Sequence, residues 1–256
     1  MILSAVLFDL GGTLLHYHDP ETIDHQRHFR RITQQGFADL LAALRDRGYH
    51  LPADAALLDD LDKQIRENYL ADVKALRGGS IETPMRAALA DQGIDVPDDV
   101  WRDVRDTFYQ RIDEIVSPRS GLIETLTNLH ARYKLGIISN TYWAGRLHDR
   151  HLERYDLLDF FPVRIYSSDS RYMKPHPGIF RQALAALETA PDEAAYVGDR
   201  LDVDVGGAQA VGMRGVLIRS PYRSEEFDGP PPDDVTPDAV VNELPDLPAA
   251  LLAWEG

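Results

Sequence analysis

The chain has 256 residues, 44% of them hydrophobic, a formal net charge of −15 and no cysteine. Its length allows one large domain or two unequal ones, and its apolar content allows a real core. The charge argues against a nucleic-acid phosphate track or an anionic membrane surface as the main partner, and the lack of cysteine excludes disulfides, thiolate metal sites and thiol nucleophiles.

The opening stretch MILSAVLFDLGG lacks the basic region and small-residue cleavage site of a signal peptide. No apolar run approaches the roughly 20 residues of a membrane helix. A soluble cytoplasmic protein is therefore expected, with no membrane partner; the oligomeric state is not set by the sequence.

Residues 2–8 read as a short β run, apolar except at Ser4. After Asp9 and two glycines, residues 19–48 read as a helix. Asp19 is its candidate N-cap, Pro20 fits the first helical position and Gly48 fits the residue just past its end. Further helical patterns cover 53–76, 83–91 and 98–116, with no strand between them.

From Gly121 the texture changes. LIETLTNLHARY reads as a helix, KLGIISN as a buried strand, and a helix follows near 143–151. VRIYSSD is then a strand, HPGIFRQALAALE a helix, AAYVGD a strand, LDVDVGGAQAVG a helix ended by glycine, and GVLIRS a strand. Strands alternating with helices at this spacing imply βαβ units and a parallel sheet. SEEFDGPPPDDVTPD reads as a surface loop before a last strand, AVV, and a terminal helix, LPDLPAALLAW. The first strand lies beyond the helical block. Residues 16–118 are thus expected to be a helical insertion into an α/β domain made of 1–15 and 119–256.

In open α/β sheets, ligands sit at the carboxyl ends of the strands. The first strand is followed by Asp9-Leu10-Gly11-Gly12-Thr13, and KLGII by Ser139-Asn140. Lys174 follows VRIYSSD, in MKPHPGIF. AAYV is followed by Gly198-Asp199, with Asp202 and Asp204 just beyond. Each piece alone has an ordinary explanation. Asp after a strand is usually a cap or turn residue, Ser-Asn is usually a turn, and Lys174 before a proline is usually a solvated loop lysine. Together they form a set suited to phosphoryl transfer. A carboxylate can attack phosphorus, a hydroxyl and an ammonium can hold phosphoryl oxygens, and paired acids can hold Mg²⁺.

FDLGGTL, IISN, KPHPGIF and VGDRLDVD resemble, in this order, the four motifs of the haloacid dehalogenase (HAD) superfamily, which is mostly phosphatases. The resemblance spans the chain. It implies a Rossmann-like α/β core and identifies the helical block as similar to a C1-type cap. By this resemblance Asp9 would be the nucleophile and a Mg²⁺ ligand, with the carbonyl of Gly11 a second ligand. Thr13 would support the loop. Ser139 would bind the phosphoryl group with the backbone of Asn140. Lys174 would neutralise phosphoryl charge and orient Asp9. Asp199 would bind the metal, and Asp204 would assist through water or through Lys174. Asp202 reads as a solvated or capping acid. A small phosphorylated substrate is implied.

One position departs from the pattern. Most phosphatases of this superfamily carry a second Asp two residues after the nucleophile, which protonates the leaving oxygen and later activates water. Here that position is Gly11. The metal ligand there is a carbonyl, which glycine also supplies; the acid/base is lost, a group typically worth about 10²–10⁴-fold in rate. Three readings follow. The substrate has a leaving group that needs little protonation, such as an acyl phosphate, aryl phosphate or anhydride. Or another group substitutes, with His16 and His18 the candidates, beside Tyr17, in the flap after the first motif. Or catalysis is weak or absent, and the protein binds a phosphorylated ligand or a partner.

A 2-haloacid dehalogenase is a further alternative, since halide leaves without a proton. Those enzymes usually have Tyr in place of Gly11 and an Arg soon after the motif, use no Mg²⁺, and would find the acidic fourth motif surplus. Elsewhere, His25 and His28 with His16 and His18 read as an exposed polar face ahead of a metal site. Trp143 is a candidate pocket residue or a packing residue. Tyr69, Trp101, Phe108 and Tyr109 read as core of the helical block.

Overall fold

The structure, a computed structural model, describes residues 3–17, 25–52, 54–220 and 234–254. Asp19, Pro20, His18 and most of the acidic proline-rich loop lie outside the described residues, as do the side chains of His25 and His28.

Six parallel strands form the main sheet: β1 (Ala5–Phe8), β4 (Lys134–Ser139), β5 (Val163–Tyr166), β6 (Ala194–Gly198), β7 (Arg214–Ile218) and β8 (Ala239–Val241). Their order is β5-β4-β1-β6-β7-β8. β1 is central, pairing Phe8 with Ile137 on one side and with Val197 on the other. All four of its residues are buried, as strands covered on both faces must be. The order reverses between β4 and β6 around β1. Asp9 therefore leaves the sheet at its switch point, where such sheets build ligand sites.

Helices α5 (Leu122–His130), α6 (Gly145–Arg154) and α7 (Pro177–Ala186) connect or flank these strands. The sequence cues explain α7 in detail. Pro177 takes its first position, and the His176 side chain caps it by accepting from the Gly178 N–H at 2.9 Å.

Between β1 and β4 lie α1 (His25–Asp46), α2 (Asp54–Ala75), α3 (Glu82–Asp91) and α4 (Asp98–Asp113). α1 and α4 pack closely. Phe37 stacks on Phe108 with ring centroids 4.9 Å apart, and Gly36 leaves Phe108 the space a Cβ would fill. Gly48 has φ +89°, as a residue ending a helix by a left-handed turn requires.

Three details differ from the sequence expectation. A pair of two-residue strands, β2 (Leu15–His16) and β3 (Ser117–Pro118), bounds the helical block and closes it antiparallel, Leu15 opposite Pro118. Two residues carry too little alternation to register as strands. The helix read from LDVDVGGAQAVG begins instead as a π-helical turn, Leu201–Gly206, before the short α8 (Gly207–Gln209). The N–H groups of Asp204 and Val205 both reach the carbonyl of Arg200, at 3.2 Å each. The terminal pattern likewise splits into a 3₁₀ turn, Leu244–Asp246, and α9 (Leu247–Leu252). Among the described residues, no helix is long and apolar enough to cross a membrane.

Candidate active site

The carboxyl ends of β1, β4 and β6 open onto a cavity of about 310 Å³. Asp9, Gly11, Ser139, Asn140, Lys174, Asp199 and Asp204 all line it. Residues from both ends of the chain are brought together because each follows a strand of one parallel sheet or lies in the loop after it.

Lys174 sits at the centre and is 2% exposed. Its ammonium donates to Asp9 Oδ1 at 2.8 Å, Asp204 Oδ1 at 2.6 Å and the Tyr196 hydroxyl at 2.7 Å. Three donors thus meet three acceptors, which is what a buried ammonium needs. Burial works against the charge of Lys174, but Asp204 and Asp9 outweigh it and hold the ammonium above its ordinary pKa. Burial pushes Asp204 up to about 6, with Asp9 and Asp199 adding to the rise and Lys174 pulling against it. Tyr196, buried and facing the same acids, is held well above its ordinary value and stays protonated.

The main chain of Lys174 is fixed as firmly as its side chain. Asn140 accepts from the Lys174 N–H at 2.7 Å and donates to its carbonyl at 2.8 Å. The Asn140 side-chain amide is therefore spent on orienting Lys174.

Asp9, Asp199 and Asp204 each bring a carboxylate oxygen within 4.8 Å of the others. All three are buried. An all-oxygen donor set of this kind fits a hard divalent cation. The set is not equivalent, though. Asp204 uses Oδ1 on Lys174 and Oδ2 on the Arg200 N–H at 3.0 Å, so it fits a supporting position better than a direct ligand.

The loop after β1 is shaped around this cluster. The Gly12 N–H donates to Leu15 O at 2.8 Å and the Leu15 N–H to Leu10 O at 2.9 Å. Neither bond uses the Gly11 carbonyl. Gly12 has φ +81°, and a Cβ there would lie 2.3 Å from Asp199 Oδ2. Only glycine fits. Arg119, 5% exposed, ties the loop down. Its guanidinium donates to Gly12 O at 3.0 Å, Arg219 O at 2.6 Å and Asn242 O at 2.9 Å. Thr13 is fully buried beneath the loop, outside the cavity wall, and its hydroxyl has no hydrogen-bond partner among the described residues. Asp202 pairs with the Arg200 guanidinium at 2.7 Å on the surface, the solvated role expected for it.

Beside Gly11 stands Tyr17. A Cβ on Gly11 would meet its ring carbons at 3.6 and 3.8 Å, ordinary contact. The Tyr17 hydroxyl lies 2.8 Å from His148 Nδ1 and 3.4 Å from His151 Nδ1. His148 Nε2 is 2.7 Å from the Thr141 hydroxyl, and His151 Nε2 is 2.7 Å from Asp113. Burial lowers His148 to about 3, so it stays neutral. Burial, with Asp9 adding to it, raises Tyr17 well above its ordinary value. His16 sits on β2 and is absent from the cavity lining. Burial, then Arg119, lowers its pKa.

Sequence reasoning missed Tyr196 and Arg119. A tyrosine inside a fully buried strand must find a partner for its hydroxyl, and that signal is present in AAYVGD. Arg119 acts on carbonyls far along the chain, which no local pattern marks. Trp143 lines a second cavity, and so does Tyr69, which is 43% exposed and not core. Trp101, Phe108 and Tyr109 are buried as expected.

Comparison with known proteins fits this geometry. A family model described as haloacid dehalogenase-like hydrolase matches residues 3–212. A glyceraldehyde 3-phosphate phosphatase of Methanopyrus kandleri is 34% identical over 134 residues, covering 52% of this chain and 55% of that protein. Pyrophosphatase PpaX of Halalkalibacterium halodurans is 29% identical over 136 residues, covering 53% and 60%. The chain thus spans little more than half the length of these curated relatives. Among solved structures, a 2-haloacid dehalogenase from Pseudomonas syringae pv. Tomato superposes with a TM-score of 0.67 at 24% identity, covering 99% of this chain and 100% of that one. A HAD phosphatase from Thermococcus onnurineus gives 0.58 at 24%, covering 97% and 98%. At these identities the structures speak for the fold.

Proposed function

The chain belongs to the haloacid dehalogenase-like hydrolase family, and we propose that it is a Mg²⁺-dependent phosphatase acting on a small phosphorylated metabolite through an aspartyl-phosphate on Asp9. The observation that carries this reading is the buried Asp9–Lys174–Asp204 arrangement with Asp199 beside it. Relatives named as a glyceraldehyde 3-phosphate phosphatase and a pyrophosphatase support the phosphoryl chemistry.

Asp9 and Asp199 carboxylates with the Gly11 carbonyl would hold the ion, and Asp204 would assist from behind. The ion would supply charge neutralisation of the phosphoryl group. Lys174 fixes Asp9 through Oδ1 and leaves the carboxylate poised for attack by its other oxygen. Attack forms an Asp9 oxygen–phosphorus bond while the bond from phosphorus to the leaving oxygen breaks, its electron pair leaving with that oxygen. Ser139 and the main chain of Asn140 hold the phosphoryl oxygens, and Lys174 offsets their charge. Water then attacks phosphorus, releases phosphate and restores the carboxylate. Thr13 contributes to loop shape from beneath. We take the helices between β2 and β3 to be a cap over this site.

Because Gly11 supplies no acid, the enzyme favours leaving groups that depart without a proton. Turnover of p-nitrophenyl phosphate and acetyl phosphate with and without Mg²⁺, by the wild type, Asp9→Asn and Lys174→Ala, tests the reading. Metal-dependent turnover, abolished by Asp9→Asn and nearly so by Lys174→Ala, is expected. Full activity in Asp9→Asn overturns the nucleophile. Chloride release from a 2-chloro acid without added metal would replace the reading by dehalogenation. Mg²⁺ binding with no turnover of either phosphate would replace it by a ligand-binding role.

A further inference from the structure

A second cavity, of about 500 Å³, adjoins the first. Tyr69 and Asn140 line both. Its walls come from two main sources. α2 supplies Ile65, Arg66 and Tyr69, and the loop after β4 supplies Tyr142 and Trp143. The two sides are locked together. The Ile81 N–H donates to Tyr142 O at 2.7 Å, the Tyr142 hydroxyl reaches Asp72 at 3.4 Å, and the Tyr69 and Tyr142 rings meet edge to face at 5.4 Å.

The character of this cavity opposes that of its neighbour. The first is lined mainly by acids, an ammonium, glycines and polar side chains; the second pairs three aromatic rings, two isoleucines and Met173 with a polar rim that includes Thr33, Asp62 and Thr141. Among the described lining residues its one cation is Arg66, which pairs with Asp62 at 3.9 Å. A pyrophosphate-like leaving group would bring several negative charges to a wall whose one cation, Arg66, already faces Asp62. A flat apolar ring would meet ring faces and edges.

We infer that the second cavity seats the leaving group of the substrate, and that this group is aromatic: the enzyme is an aryl phosphomonoesterase. This rests on the phosphatase reading above and narrows it. The cavity wall and the chemistry agree independently. An aryl oxygen leaves as an aryloxide whose conjugate acid titrates at roughly 10, like tyrosine, far below water at about 15.7. Such a group departs without the acid that Gly11 lacks. The balance is simple: the Asp9 oxygen displaces aryloxide at phosphorus, the aryloxide takes a proton from solvent, and water later releases phosphate from Asp9. The net reaction consumes one water and yields a phenol and inorganic phosphate.

The test compares 2-naphthyl phosphate, acetyl phosphate and n-octyl phosphate with Mg²⁺, for the wild type, Ile65→Trp and Tyr69→Ser. Ile65→Trp fills the cavity; Tyr69→Ser removes an exposed ring and leaves the fold's core alone. The aryl ester is expected to show a kcat/KM at least about tenfold above acetyl phosphate, and the aryl-to-acetyl ratio should fall about tenfold or more in each variant. Acetyl phosphate matching the aryl ester, octyl phosphate matching it, or a ratio unmoved by both variants overturns the inference while leaving the phosphatase reading intact. Calorimetric binding of 2-naphthylmethylphosphonate against methylphosphonate separates the remaining case. If no ester is cleaved yet the naphthyl ligand binds at least about tenfold more tightly, the aromatic subsite stands and the phosphatase reading falls; equal binding overturns the subsite.

Discussion

Tyr17 places the edge of its ring beside Gly11, 3.6 Å from where a Cβ would stand. That contact is ordinary van der Waals distance, and Gly11 does not share the left-handed backbone of Gly12. A Cβ at position 11 is therefore sterically admissible.

Gly11→Asp should accordingly fold and should gain hydrolysis of alkyl phosphates, by up to about 10²–10⁴-fold. Initial rates on an alkyl phosphate with Mg²⁺ check this. If the wild type already cleaves that ester well, another group donates the proton. Tyr17, backed by His148 and His151, then becomes the first target, ahead of His16.

Gly12→Ala should behave in the opposite way. Its Cβ collides with Asp199 Oδ2 and its φ is strained for an L residue. The loop must shift, and both Mg²⁺ affinity and turnover should drop. A loss of stability of about 1–3 kcal/mol should accompany this. Urea unfolding and metal titration measure the two effects separately.

Asp9, Ser139 and Asp199 stand where the sequence marks strand ends, an apolar run stopping at a polar residue, whereas Lys174 lies further along the loop after β5 and stands out in the sequence only through the wording of KPHPGIF. The parallel sheet and the inserted helices follow from the same alternation. Tyr196 and Arg119 escape such a reading, because their roles depend on partners reached only through the fold. Those partners are Ile138 O for the tyrosine, and Gly12 O, Arg219 O and Asn242 O for the arginine. Burial gives the physical reason. A buried polar group must be satisfied somewhere, and the sequence shows the need without showing the partner. The π-helical turn at Leu201–Gly206 is hidden for a related reason, since its pattern of residues also suits an α-helix.

Tyr196→Phe tests the buried network at its quietest member. It removes the bond to Ile138 O and one of the three acceptors of Lys174. A loss of about 1–3 kcal/mol in unfolding free energy is expected, with kcat reduced more than KM is raised. Unchanged stability would mean that water replaces the hydroxyl at no cost.

His148 makes stability depend on pH. Its folded pKa is lowered to about 3 by burial, against an ordinary value of 6.5. Well above pH 6.5 it is neutral in both folded and unfolded chains and has no effect. As pH falls from 6.5 towards 3, only the unfolded chain takes up the proton. Stability is then lost by up to about 1.4 kcal/mol per pH unit from this group. Urea unfolding of the wild type and His148→Gln between pH 7 and pH 4 checks the sign. The variant should lose stability less steeply with falling pH, by about one proton.

The most direct measurement looks for phosphate on Asp9. Protein mixed with ³²P-labelled acetyl phosphate and Mg²⁺ is quenched in acid within one turnover, and the labelled peptide is identified. Label on the peptide containing Asp9, absent without Mg²⁺ and absent in Asp9→Asn, is the expected result. Phosphate released by the wild type with no label at Asp9, or label persisting in Asp9→Asn, would contradict the account.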